Sequence, residues 1–88
     1  MNRLTELLGT RWPLIQAPMA GAQGAALALA AGEAGALGAL PCAMLAPEAM
    51  RRELDLLAAS GRPYNVNFFC HTPPVPDAAR EAAWRAAL

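Results

Sequence analysis

The 88-residue chain contains no Lys, one His, two Cys and only 16% charged residues, and each scarcity removes a class of function. Seven Arg balance seven Asp plus Glu, so the formal net charge is zero and nothing electrostatic favours nucleic acid or an anionic membrane as a partner. A lone His and two Cys without Cys-x-x-Cys spacing make a zinc site improbable, and the bland expectation for Cys42 and Cys70 is a pair of buried free thiols. The chain is also short of long apolar runs. Ala17 to Leu40 comes nearest, but Glu33 lies well inside it, and Pro18, Gly21, Gly24, Gly32, Gly35 and Gly38 divide it into several pieces. The N-terminus sets Arg3, Glu6 and Arg11 around an amphipathic Leu4, Leu7, Leu8 pattern, which is not the apolar core of a signal peptide. The expected compartment is the cytoplasm.

What is abundant is Ala, with 22 residues, in a chain that is 56% hydrophobic and therefore not disordered by composition. The Gly and Pro marks cut it into an alternating pattern. Leu14–Ala17 reads as a short buried strand, Gln23–Ala34 as an Ala-rich helix stopped at Gly35, and Ala36–Leu40 as a second strand stopped by Pro41. Pro47 suits a first helical position, Glu48 complements the helix dipole, and Met50, Leu54 and Leu57 recur at helical spacing before Gly61. Tyr64–Phe69 is the clearest strand, with Asn65, Asn67 and Phe69 on one face and Tyr64, Val66 and Phe68 on the other. Asp77 can cap a last helix in which Trp84 and Leu88 stand four apart.

Strand and helix alternate three times, which implies α/β architecture with parallel strands joined by right-handed crossovers. Nearly all-apolar strands imply cover on both faces, and three strands with an Ala-rich helix cannot supply it. The expectation is that the chain associates or forms part of a larger domain. Met19 stands where a dinucleotide-binding fingerprint ending at Gly21 and Gly24 requires Gly, and no acidic residue follows the second strand near Leu40. A dinucleotide-binding βαβ unit is excluded on both counts.

The stretch Pro13-Leu14-Ile15-Gln16-Ala17-Pro18-Met19-Ala20-Gly21, then Gly35-Ala36-Leu37-Gly38, Leu45-Ala46-Pro47-Glu48 and Asn65-Val66-Asn67-Phe68-Phe69-Cys70-His71, resembles the N-terminal part of the nitronate monooxygenases, formerly called 2-nitropropane dioxygenases. The resemblance implies an FMN-dependent TIM (β/α)₈ barrel, of which residues 1–88 are the first three βα units of a single truncated domain, with chemistry at the carboxyl ends of the strands. It implies oxidation of an alkyl nitronate by O₂ to a carbonyl compound and nitrite. By the same resemblance Pro18, Met19 and Ala20 lie along the isoalloxazine ring and Asn67 contacts FMN. The small residues there allow close backbone approach, and exposed amides can donate to a flavin nitrogen.

His71 is the one histidine and stands at the third strand's end. The family's catalytic histidine lies on a later strand, beyond Leu88, so His71 is expected to line a pocket or hold a loop, with a catalytic base as the alternative. Two rival readings remain at this point: an FMN-type enoyl-acyl-carrier-protein reductase barrel, and a non-catalytic fragment or Ala-rich interaction module.

Overall fold

A computed structural model describes residues 2–88. The chain begins with a six-residue helix, α1 (Arg3–Leu8), that the hydrophobic pattern alone is too short to define. Its signal is a reciprocal cap: the Thr5 N–H donates to Asn2 Oδ1 at 2.9 Å and the Asn2 N–H to Thr5 Oγ1 at 3.2 Å. Gly9, at φ 71°, ends it in the left-handed conformation that glycine adopts without strain.

Five further helices and strands follow in the expected alternation: α2 (Ala25–Glu33), β1 (Gly38–Pro41), α3 (Pro47–Ala59), β2 (Tyr64–Asn67) and α4 (Ala78–Ala87). Pro47 stands in the first turn of α3, and Asp77 Oδ1 caps α4 by accepting the Arg80 N–H at 3.0 Å. β1 and β2 pair in parallel with Gly38 opposite Tyr64 and Pro41 opposite Asn67. Ile15 forms a parallel bridge to Leu37, so three parallel segments lie side by side in sequence order.

Three expectations shift in detail. The strand anticipated over Leu14–Ala17 is reduced to the bridge at Ile15, for a reason given below. Pro41 is the last residue of β1 rather than its stop. Alternation explains why it is tolerated: Leu37 bonds Leu14 and Gln16, whereas Cys42 bonds Asn67, so odd-numbered residues direct their backbone groups away from β2. The N–H that Pro41 lacks belongs to the side on which β2 needs no donor. The third strand ends at Asn67 instead of Phe69, and Phe68 and Phe69 are exposed.

The core lies between one face of the sheet and helices α2 and α3. Ala25, Ala28, Leu40, Cys42 and Leu57 form its buried cluster, with Met50, Leu54, Tyr64 and Val66 packed against it. Tyr64 and Val66 therefore do face the helices, and the asparagines of β2 take the opposite face. Two features seat α2. A Cβ on Gly38 would fall 2.8 Å from the Ala28 carbonyl carbon, so only glycine lets the helix backbone come this close. The N-cap Gly24 offers no side chain, and Glu53 of α3 supplies the cap by accepting the Ala25 N–H at 2.7 Å.

Beyond β2 every residue from Phe68 to Leu88 is exposed, including Trp84 and Leu88. The radius of gyration is 17.6 Å, against about 12 Å for a compact chain of this length. All of α4 is thus without cover from the described residues, and on the sheet face turned away from the helices Ile15 and Asn65 are exposed while Leu37, Ala39 and Pro41 are buried.

Candidate functional site

Parallel strands put their carboxyl ends on one edge, and that edge here carries Ala17–Gly21, Cys42 and Asn67–His71. The residues expected at a site, Pro18, Met19, Ala20 and Asn67, belong to the ends of the first and third segments. By register Ile15, Leu37, Ala39, Pro41, Asn65 and Asn67 share the face turned away from the helices. Asn67 is half-buried and Asn65 exposed, which separates two chemically identical side chains. Neither side-chain amide has a hydrogen-bond partner among the described residues.

The first strand end is shaped by Pro18. The ladder starts regularly, with the Leu37 N–H to Leu14 O and the Gln16 N–H to Leu37 O, both at 2.9 Å. Its next rungs would need the Gln16 carbonyl for the Ala39 N–H and a position-18 N–H for the Ala39 carbonyl, and proline has none. Side chains take over. Gln16 Oε1 accepts the Ala39 N–H at 2.9 Å, and Gln23 Nε2 donates to Ala39 O at 3.0 Å. Regular pairing therefore stops after one bridge, although Ala39 is wholly buried and both its polar groups are satisfied.

After Pro18 the chain turns over Met19–Ala22, closed by the Ala22 N–H on Met19 O at 3.1 Å. Gly21, at φ 78°, occupies the third position, where a type II turn needs a positive φ. Nothing lies within 4 Å of a Cβ built on Gly21, so the turn borders open space. The Met19 N–H is not a free donor: it is bound to Gln23 Oε1 at 3.0 Å. The Ala20 and Gly21 amides have no acceptor among the described residues. The expectation of exposed donor amides therefore applies to Ala20 and Gly21 and not to Met19, whose 45% exposed side chain instead offers an apolar, polarizable surface.

His71 is exposed, its ring centroid 5.6 Å from that of Phe69 at a 38° tilt, and it faces no hydrogen-bond partner among the described residues. Of the two cysteines, Cys42 is the buried free thiol expected, its pKa pushed up from the ordinary value by that burial, while Cys70 departs from expectation: it is free and exposed because β2 ends three residues before it. Among the described residues no three His, Cys, Asp or Glu side chains gather as a metal site. Nor is any helix long and apolar enough to cross a membrane. Away from the strand ends, a surface hollow of about 310 Å³ is lined by Arg80, Ala83, Trp84 and Ala87 of α4.

Gln16 and Gln23 are the residues that the sequence alone left unassigned. Their signal was available in the spacing: a Gln two residues before a proline, inside an apolar strand, with a second Gln across the turn.

A family model described as nitronate monooxygenase matches residues 1–88. The chain belongs to the nitronate monooxygenase family. This is a family of oxidoreductase enzymes. The nitronate monooxygenase of Pseudomonas aeruginosa is 44% identical over 84 residues, covering 94% of this chain and 24% of the relative. That of Paraburkholderia phytofirmans is 43% identical over 82 residues, covering 92% and 22%. The chain thus spans about a quarter of the length of these curated relatives. Among solved structures it superposes on nitroalkane oxidase from Streptomyces ansochromogenes with a TM-score of 0.70 and 37% identity, over 94% of this chain and 26% of that one. It superposes on FabK from Thermotoga maritima with a TM-score of 0.73 and 31% identity, over 83% and 24%. Backbone geometry therefore does not separate these two solved neighbours, whereas the higher sequence identities fall on the nitronate monooxygenases.

Proposed function

We propose that the chain is the N-terminal part of an FMN-dependent nitronate monooxygenase, built as the first three βα units of a (β/α)₈ barrel. The proposed reaction oxidises an alkyl nitronate with O₂ to a carbonyl compound and nitrite. Family membership over the whole chain carries the reaction class, and three parallel segments in sequence order with helices on one face are compatible with a barrel wall. The activity belongs to the longer polypeptide, since late strands of such barrels carry the phosphate-binding loops.

The donor set fits a planar ring that accepts hydrogen bonds. Ala20 and Gly21 present unclaimed amides beside open space, Met19 presents an apolar edge, and the Asn67 amide is half-buried with no internal partner. That amide is open to solvent, which satisfies it in the flavin-free chain, and it is therefore available to a ligand acceptor or hydroxyl at the strand ends. Pro18, Met19, Ala20 and Asn67 would hold the cofactor, and bound there FMN would supply the electron-accepting chemistry for nitronate oxidation. The protein's own part is positioning: a glycine turn that keeps side chains out of the ring's path, and amides fixed in direction.

The test is purification of the full-length protein and of two variants. The parent should carry FMN and consume O₂ with a primary nitronate, and Asn67→Ala should lose more flavin than Asn65→Ala. Equal retention in the two variants would remove Asn67 from the site, and a parent without flavin would remove the reading itself.

A further inference from the structure

Ala39 is 0% exposed, and Pro18 leaves its carbonyl without the ladder donor that a parallel neighbour ordinarily provides. One glutamine side chain solves this and does a second thing at once. Gln23 Nε2 donates to Ala39 O at 3.0 Å and to Gly24 O at 3.3 Å, while Gln23 Oε1 accepts the Met19 N–H at 3.0 Å. Gln16 braces it: its Nε2 donates to the same Gln23 Oε1 at 2.6 Å and to Ala17 O, and its Oε1 holds the Ala39 N–H. Every amide N–H of both side chains is in use, so neither amide can turn over without losing bonds at both ends.

We propose that Gln23, braced by Gln16, is the positioning residue of the strand end: it ties the Met19 backbone to the buried Ala39 and thereby selects the Ala20 and Gly21 amides as the donors that face the cofactor. The inference rests on the flavin reading above and adds to it a residue that touches no cofactor. The chemistry is demanding. Leu at position 23 offers neither donor nor acceptor, and ionised Glu keeps an acceptor for Met19 but sets a second negative oxygen against Ala39 O. Protonated Glu restores the pattern, with its O–H donating to Ala39 O and its carbonyl accepting from Met19.

The experiment uses the full-length protein as parent, Gln23→Leu and Gln23→Glu. It reads the FMN dissociation constant and the visible flavin spectrum, together with exchange of the Met19 amide in the flavin-free form. Gln23→Leu should speed exchange at Met19 and weaken FMN by about tenfold, the scale of one lost hydrogen bond, with a shifted flavin spectrum. Gln23→Glu should resemble Gln23→Leu at about pH 8 and recover toward the parent at about pH 5, where a carboxyl group facing a carbonyl regains its proton. A role confined to fold stability would leave the flavin spectrum and the FMN dissociation constant of the folded protein unchanged in both variants. Parent-like FMN binding and spectrum in Gln23→Leu, or the same pH response in both variants, overturns the inference while leaving the flavin reading intact. A parent that binds no FMN overturns both.

Discussion

Substituting Gly38 by Ala adds one methyl group where β1 meets α2, and the structure fixes what it would strike. A Cβ built there lies 2.8 Å from the Ala28 carbonyl carbon and 2.9 Å from its Cα, and it overlaps the carbonyl oxygen. The obstacle is helix backbone, which has no rotamer to change, so α2 must shift away from the core formed by Ala25, Ala28 and Leu40. Overpacking of this kind costs about 1–3 kcal/mol. Gly32 provides the matched control, for it lies in α2 itself, and a Cβ there would sit 3.6 Å from Arg62 Cδ, an ordinary contact. Gly32→Ala should therefore stabilise by about 0.5–1 kcal/mol through helix propensity alone. The same methyl, six residues apart, has opposite signs. Urea unfolding followed by far-UV circular dichroism reads both, and the midpoints should move in opposite directions from the parent. A Gly38→Ala protein as stable as the parent, or two variants shifted equally, would refute the close approach of α2 to β1.

Glu53→Ala removes the trans cap on Ala25 and should cost about 0.5–2 kcal/mol in the same assay, the range for a lost N-cap. A thiol reagent should label exposed Cys70 at once and Cys42, 1% exposed, only as the protein opens. Because burial raises the Cys42 pKa, the fold favours the neutral thiol. That contribution is complete below the ordinary thiol pKa and is lost as pH rises from there through the raised pKa of the folded protein, so Cys42→Ala should flatten the alkaline fall in stability. In the full-length enzyme His71→Ala should lower nitronate oxidation modestly, far less than the about 10²–10⁴-fold expected for loss of a general base. Collapse of turnover with FMN still bound would make His71 that base.

The alternation of elements was legible because glycine and proline mark its boundaries. Pro47 and Asp77 act at the helix starts their chemistry suggests, and Met50, Leu54 and Leu57 turn inward together. What escaped was tertiary in origin. The start of α1 is the exception, a local signal: the Leu4, Leu7, Leu8 pattern spans too few residues to set its bounds, and the Asn2–Thr5 cap does so. The first strand kept its place but lost its length, since an apolar run says nothing about where the neighbouring strand will demand an N–H that proline cannot give. Cys70 looked like a strand-end thiol with the same environment as Cys42, yet β2 stops at Asn67 and leaves it in an extended, exposed segment. At the site, the type of residue at positions 18 to 21 was readable, whereas the fact that Met19 has already spent its amide on Gln23 depends on a contact across a turn.

The packing at Gly38 and the polar network at Ala39 are adjacent in β1 and act through one helix. Gly38 lets Ala28 approach, and Glu53 fixes the first turn of α2 at Ala25. Gln23 stands two residues before that turn, so the position of its amide is set by how closely α2 packs on the sheet. A shift of α2 large enough to relieve a methyl at position 38 would carry Gln23 away from Ala39 O and release the Met19 backbone with it. The Ala-rich character of α2 follows from this arrangement: residues no larger than Ala25 and Ala28 let the helix sit against β1, and that closeness brings a glutamine from before the helix within reach of a buried carbonyl. Core packing and strand-end geometry are in this way one constraint, imposed from the helix side on residues that face the opposite edge.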